Sequence, residues 1–187
     1  MNFFHELLRA PKSTGAVGPS SKSLVESMAR NARLEEAKAV VELGPGTGVF
    51  TARILKSIGV KTPFFCIEIN RAFADETKRQ HPEVDVYFDS AEHIQKYLKL
   101  HGLKHCDRII SSLPWTIFEP ALQDTLLDSI YEALEPGGLF LTFAHVPMNH
   151  FPGGKMFKEK LRERFREVKE TRVVYNIPPA FFYVCKK

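Results

Sequence analysis

Glu42-Leu43-Gly44-Pro45-Gly46-Thr47-Gly48 is the stretch whose residue types and spacing could do chemistry. The apolar pair Val40-Val41 runs into a carboxylate and then a glycine-rich turn, which reads as strand, tight loop and helix. Glycines there would let the backbone approach a ligand closely. The spacing is G-x-G-x-G, and the dinucleotide fingerprint G-x-G-x-x-G would need a glycine where Val49 stands. Glu42 would repel a pyrophosphate and attract a cation, so a positively charged nucleoside is the expected ligand. A bare tight turn is the competing reading. A second carboxylate, Glu68, lies near the end of the next apolar run, residues 63–69. An acidic side chain there can accept hydrogen bonds from both ribose hydroxyls; otherwise it is a surface glutamate. His145 or His150 could accept a proton, since histidine titrates near physiological pH. Either could equally be an ordinary loop histidine. His101, His105 and Cys106 are close in sequence, but Gly102 interrupts the helix and no second ligand cluster follows, so no metal is expected.

The elements that must position these groups alternate. Strands are expected at 40–43, 63–69, 84–88, 108–111 and 138–144, each followed by a helix, at 49–58, 71–80, 91–100, 119–134 and 155–168. Residues 171–175 and 181–185 flank Asn176-Ile177-Pro178-Pro179-Ala180, which suggests an antiparallel hairpin. This is the pattern of a doubly wound α/β domain, with ligands beyond the carboxyl ends of the strands. Glu135-Pro136-Gly137-Gly138 reads as the turn into the fifth strand. Ahead of the alternation, residues 2–10 place Phe3, Phe4, Leu7 and Leu8 at helical spacing before Pro11, a loop follows, and a second helix begins near Ser21. The first helix either packs on the domain or serves as a lid or membrane-surface helix. The expected division is therefore 1–37, helices and loop, and 38–187, the α/β domain.

At 187 residues, with 44% hydrophobic and 26% charged content, the chain has the make-up of one globular domain with a sizeable core. No run approaches the roughly 18 to 20 apolar residues of a membrane span. Residues 1–6 lack the basic and apolar regions of a secretory signal. Cys66, Cys106 and Cys185 are odd in number and set in or beside apolar segments, as expected of buried free thiols in a reducing cytoplasm. The net charge of +4 permits an anionic membrane surface or nucleic acid and selects neither. In residues 155–169, glutamates interleave the basic residues while Phe157, Leu161, Phe165 and Val168 form an apolar stripe. That is a solvated face over a core-facing stripe, not a nucleic-acid helix.

With strand and acidic residue before it, the glycine loop resembles motif I of the class I S-adenosylmethionine-dependent methyltransferases. That cofactor carries a sulfonium and an ammonium and no phosphate, which suits Glu42. The resemblance implies a Rossmann-like seven-stranded sheet, mostly parallel, with a C-terminal antiparallel hairpin and helices on both faces. It also implies that Glu42, Gly44, Pro45, Gly46, Thr47, Gly48, Glu68, Ile69, Asp89, Ser90, Ala91 and Ser111 bind the cofactor. In that family the acidic residue matching Asp89 reaches the adenine amine; Asp89 could also serve as a helix N-cap. Amino-directed members carry Asn/Asp-Pro-Pro-aromatic or Asn-Leu-Pro-aromatic at the fourth strand end, holding the acceptor nitrogen. This chain offers Ser111-Ser112-Leu113-Pro114-Trp115, with serine in the first place of the motif, which argues against a base-methylating enzyme of the usual type. Trp115 either packs on the acceptor or closes the core.

Thr14-Gly15-Ala16-Val17-Gly18-Pro19-Ser20, the Ser-Leu-Pro strand end and the Pro-Pro hairpin together resemble bacterial phospholipid N-methyltransferases over nearly the whole chain. The resemblance implies a phosphatidylethanolamine or related aminolipid substrate, and a cytoplasmic protein peripheral on an anionic membrane face. An ornithine lipid or a soluble amine are alternative acceptors. A rival resemblance is to rRNA adenine dimethyltransferases, which generally add a helical RNA-gripping domain after the sheet. This sequence stops at Lys187 after the last expected strand, so nucleic acid is not the expected partner. A binding module without turnover is the non-enzymatic alternative. The amine's proton would pass to His145, a backbone carbonyl or water.

Overall fold

The computed structural model describes residues 21–187. The expected first helix and the 14–20 segment lie outside the described residues. The strands are β1 (Val40–Leu43), β2 (Phe64–Glu68), β3 (Asp85–Phe88), β4 (Cys106–Ser111), β5 (Leu134–His145), β6 (Glu167–Glu170) and β7 (Ala180–Lys186). The helices are α1 (Lys22–Ala32), α2 (Val49–Leu55), α3 (Arg71–Gln80), α4 (Ile94–Leu100), α5 (Pro120–Ala133), α6 (Val146–Asn149) and α7 (Pro152–Arg164). The strands form one sheet in the order β3-β2-β1-β4-β5-β7-β6. The first five run parallel, and β7 is antiparallel to both β5 and β6. The Rossmann-like sheet with an antiparallel C-terminal pair is thus present.

Every residue of β1, β2 and β4 is buried, because helices cover both faces of a parallel sheet. Alternation splits their side chains between two cores. Val41, Leu43, Phe65, Ile67 and Ile109 pack with α4, α5 and α7. Val40, Phe64, Cys66 and Ile110 pack with Leu24 and Met28 of α1 and with Phe50 and Ile54 of α2. α1 therefore shares a core with the sheet. The Ser21 side chain starts α1 by accepting from the Leu24 N–H at 3.1 Å, and Asn70 caps α3 through the Ala72 and Phe73 N–H groups. All three cysteines are free and buried.

Strand order reverses between β1 and β4, which places a crevice beyond their carboxyl ends. The opposite ends are locked by buried Asp107, which accepts from the N–H groups of Lys38 and Ala39 at 2.9 and 2.8 Å. Arg108 pairs with Asp107 and donates from Nε to the Ala32 carbonyl at 2.6 Å, tying down the end of α1.

The C-terminal elements differ from expectation. α7 stops at Arg164 because Phe165 is extended (φ −98°, ψ 138°). Val168 then belongs to β6, paired with Cys185, while residues 171–175 lie outside the strand. Val168 continues the helical spacing of Leu161 and Phe165, yet pairing with β7 overrides that local period. The charged alternation Glu167-Val168-Lys169-Glu170 suits a sheet edge. β5 likewise begins earlier than expected, at Leu134, running through the Pro136-Gly137-Gly138 turn residues, with a register shift against β4 between Cys106 and Arg108.

Candidate active site

The loop after β1 takes its shape from its glycines. The Gly44 N–H extends the β1–β2 ladder by donating to the Ile67 carbonyl at 2.9 Å, and the Gly48 N–H closes a turn onto the Pro45 carbonyl at 2.9 Å. Gly46 lies at φ +58°, and a Cβ there would meet nothing within 4 Å, so this side of the loop is open. At Gly44 a Cβ would stand 3.0 Å from Leu113 Cδ2, so the absence of a side chain lets Leu113 of the β4 loop pack directly on the β1 loop.

Two carboxylates underlie this loop. Glu42 is fully buried; its Oε2 accepts from Thr51 Oγ1 at 2.6 Å and from Cys66 Sγ at 3.4 Å, while its Oε1 has no partner. Burial pushes its pKa up to about 7, against the pull of the Thr51 and Cys66 hydrogen bonds and with a further push from Glu68. Burial and the adjacent Glu42 hold the Cys66 thiol far above its usual range. Glu68, also buried, accepts from the Gly46 N–H at 3.1 Å and the Asn70 N–H at 2.9 Å, joining the glycine loop to the end of β2. Burial raises its pKa, and the amides of Asn70, Gly46 and Ile69 oppose the rise. A carboxylate offers about four acceptor positions, so Glu68 keeps capacity for further donors.

Two supporting residues escaped the sequence reading. Thr77 of α3 donates to the Gly46 carbonyl at 2.8 Å, and His81 Nε2 lies 3.3 Å from the Gly48 carbonyl. Thr77 is fully buried beside Ala74 on the inner face of α3, and a hydroxyl at that apolar position is the only sequence hint.

Asp89 follows β3, and its N–H donates to the Glu68 carbonyl at 3.1 Å. Its carboxylate accepts from the Ser90 N–H, His93 Nδ1, Lys96 and the Tyr97 hydroxyl. Partial burial would raise its pKa, but the hydrogen bonds from Tyr97, His93, Ser90 and Lys96 hold it well below the usual carboxylate range. The turn Ala91–His93 is capped by Ser90, not Asp89: the Ser90 hydroxyl accepts from the Glu92 N–H. Ala91 is buried under it.

Beyond β4, the fully buried Ser111 hydroxyl accepts from the Leu113 N–H and from Trp115 Nε1, both at 3.2 Å. The Ser112 N–H donates to the Leu43 carbonyl at 2.9 Å, and Ser112, Leu113 and Pro114 are half-buried. Trp115 is only 3% exposed. Its ring stacks on Phe157 (4.8 Å, 17°), and meets Phe118 and Phe140 edge-on. Gln123 Nε2 donates to the Trp115 carbonyl at 2.7 Å. Of the two readings open for Trp115, the structure places its ring in the core.

Backbone contacts thus bring the glycine loop, Glu42, Glu68, Ile69, Asp89 and Ser111–Leu113 to one sheet end. His145 is set apart: Ser111 pairs with Thr142, so His145 lies about 10 Å further along β5 at the usual rise per residue. His145 Nδ1 is 3.3 Å from the Pro178 carbonyl, so Nδ1 carries the proton and Nε2 is an acceptor. Burial lowers its pKa, outweighing the carbonyls of Pro178 and Pro179, and the ring is neutral near pH 7. The unpartnered buried Glu42 Oε1 and the open face at Gly46 fit a cationic nucleoside. Among the described residues no group of three or more His, Cys, Asp and Glu could hold a metal, and no helix is long and apolar enough to cross a membrane.

Comparison with known proteins bears on this arrangement. The chain is 27% identical to an ornithine lipid N-methyltransferase of Singulisphaera acidiphila, over 98% of this chain and 94% of that protein. It is 26% identical to the ribosomal RNA small subunit methyltransferase A of Psychrobacter cryohalolentis, over 54% of this chain but only 36% of that enzyme. The fold matches an O-methyltransferase from Bacillus cereus, solved in complex with SAH, at a TM-score of 0.70 and 12% identity, covering 100% of this chain and 92% of that one. The profile of the family described as ribosomal RNA adenine dimethylase matches residues 20–150. With that profile spanning most of the chain and the glycine loop and both carboxylates inside it, the protein belongs to the ribosomal RNA adenine dimethylase family and is an S-adenosylmethionine-dependent methyltransferase.

Proposed function

We propose that this enzyme methylates the amine of a membrane aminolipid, of the ornithine lipid or phosphatidylethanolamine kind, as a cytoplasmic protein peripheral on the membrane. The observation that carries this reading is the likeness to the ornithine lipid enzyme, which runs the length of both chains. The match to the ribosomal RNA enzyme covers about a third of that protein. The family profile favours a second reading, methylation of an RNA adenine.

In the aminolipid reading, Gly44, Pro45, Gly46, Thr47 and Gly48 form the cofactor cradle and Glu68 receives the ribose hydroxyls. Ile69, Asp89, Ser90 and Ala91 border the adenine. S-adenosylmethionine supplies a methyl group on a sulfonium that leaves as a neutral thioether. The residues around it chiefly align the acceptor and exclude water. Ser112, Leu113 and Pro114 border the acceptor amine, and Ser111 and Trp115 hold that turn in shape. His145, with Nε2 unprotonated, stands further out along β5, so it suits the proton's exit from the site, with a backbone carbonyl or water as the first acceptor.

Glu42 should make cofactor affinity depend on pH. Its pKa is raised in the folded, free protein, so its contribution to stability is fully present below about pH 4.5 and fades as pH rises through about 7. A bound cation favours the carboxylate and lowers that pKa, so binding below pH 7 expels a proton. The dissociation constant is expected to be about tenfold larger at pH 6 than at pH 8. Calorimetry at pH 6.5 in two buffers of different ionisation enthalpy should register the released proton, and Glu42→Gln should abolish it. Equal heats in both buffers for the unaltered protein would remove Glu42 from the cofactor site.

The acceptor is tested by incubating the enzyme with methyl-labelled S-adenosylmethionine and separate pools of micellar aminolipid, small amines and ribosomal RNA. Label is expected in the lipid. Label in RNA alone would establish the second reading, and label in small amines alone would exclude both.

A further inference from the structure

Three loops at the carboxyl end of the sheet leave large apolar side chains in water. They carry Ile117 after β4, Met148 and Phe151 after β5, and Tyr175 and Ile177 before β7. Phe151, Tyr175 and Ile177 are 57%, 74% and 73% exposed, more than ordinary packing would leave. The loops form one continuous edge. A Cβ on Gly153 would stand 2.5 Å from the Thr116 carbonyl, so the turn after Phe151 lies against the residue before Ile117. The Phe151 N–H donates to the Met148 carbonyl. The Val146 N–H donates to the Pro179 carbonyl at 2.9 Å, and His145 meets Pro178, which brings the Tyr175–Ile177 loop beside the same edge.

The stretches that carry these side chains are poor in acid, with exposed Glu119, two residues after Ile117, at their border. Residues 108–118, 136–158 and 171–187 contain no aspartate or glutamate. Lys155 and Arg172, both exposed, lie within these stretches, and among the described residues neither forms an ion pair. Ser21 ties α1 to this edge: its Oγ donates to the Tyr175 carbonyl at 2.5 Å, and its N–H donates to Asn176 Oδ1 at 3.0 Å.

We infer that this apolar, acid-poor rim is the surface by which the enzyme seats on an anionic lipid bilayer, with Phe151, Tyr175 and Ile177 inserted and Lys155 and Arg172 against lipid phosphates. The inference rests on the aminolipid reading, and it places the mouth of the active site, marked by His145, against the headgroup layer. Apolar tips in the interface with cations behind them are the composition that binds anionic membranes reversibly and in a salt-dependent way. A site that acts on a headgroup gains by facing the bilayer, since the lipid then need not leave it.

The test is partition of the full chain onto vesicles of phosphatidylglycerol and phosphatidylcholine. The double variant Phe151→Ser/Ile177→Ser should partition at least tenfold more weakly than the unaltered protein. Lys155→Glu/Arg172→Glu should lose most of the salt dependence, and both should bind S-adenosylmethionine normally. In a Tyr175→Trp variant the added indole should be quenched by brominated lipid, while buried Trp115 should not. Undiminished partition of both double variants, or an unquenched indole on vesicles that bind the protein, would overturn the inference. So would self-association in solution that Phe151→Ser/Ile177→Ser abolishes, because the rim would then belong to a second copy. Methylation of micellar aminolipid separates the two claims: where it proceeds and the variants still bind vesicles normally, only the rim assignment fails. Where the variants lose vesicle binding but label enters RNA alone, the rim stands and the aminolipid reading fails.

Discussion

Gly46→Val is expected to weaken S-adenosylmethionine binding at least a hundredfold, about 2.8 kcal/mol, while the protein stays folded. Two effects combine. Gly46 sits at φ +58°, which is a genuine outlier for a β-branched residue and costs about 1–2 kcal/mol. The larger effect is space: nothing in the protein lies within 4 Å of a Cβ there, so the valine side chain would occupy the face of the loop open to a ligand. Any backbone shift would also disturb the Glu68 acceptor and the Thr77 donor that hold this residue. Calorimetric titration, with thermal unfolding as the control for folding, reads both parts. Undiminished affinity in a folded variant would move the cofactor away from this loop.

Trp115→Ala is expected to be the most destabilising single change at the site, by about 3–5 kcal/mol. The ring fills the core between Phe157, Phe118 and Phe140, and its Nε1 donates to buried Ser111. Removing it leaves a cavity and takes a donor from a hydroxyl that has no access to water. The unfolding midpoint should fall by about 10 °C for a domain of this size. Trp115→Phe should fall much less, because stacking on Phe157 survives. A loss of under 1 kcal/mol in the alanine variant, with turnover abolished and cofactor affinity intact, would return Trp115 to the acceptor.

The parallel half of the fold is legible because strands buried on both faces read as apolar runs, and because glycine or a polar residue marks where each run meets the ligand end. Gly44, Glu68, Asp89 and Ser111 are all such punctuation. What escaped is non-local. Val168 satisfies a helical period with Leu161, and only its pairing with Cys185 makes it a strand residue. Thr77 and His81 contact backbone more than thirty residues away, on a loop to which no local pattern links them. Whether Trp115 faces the acceptor or the core depends on the short turn Trp115–Ile117, which carries the ring inward. His145 reads as an ordinary loop histidine until the Pro178 carbonyl selects its tautomer.

The place of β7 has a consequence for how the chain reaches its native state on the ribosome. This strand, synthesised after all the others, lies inside the sheet between β5 and β6. Until it emerges, β5 presents a bare edge to the cell and β6 has no strand to pair with. α1, made early, also waits, since Leu24 and Met28 share their core with Ala180 and Phe182. A nascent chain therefore carries an open, apolar strand edge until β7 is in place, the condition under which chaperones are engaged and an unpaired edge invites aggregation.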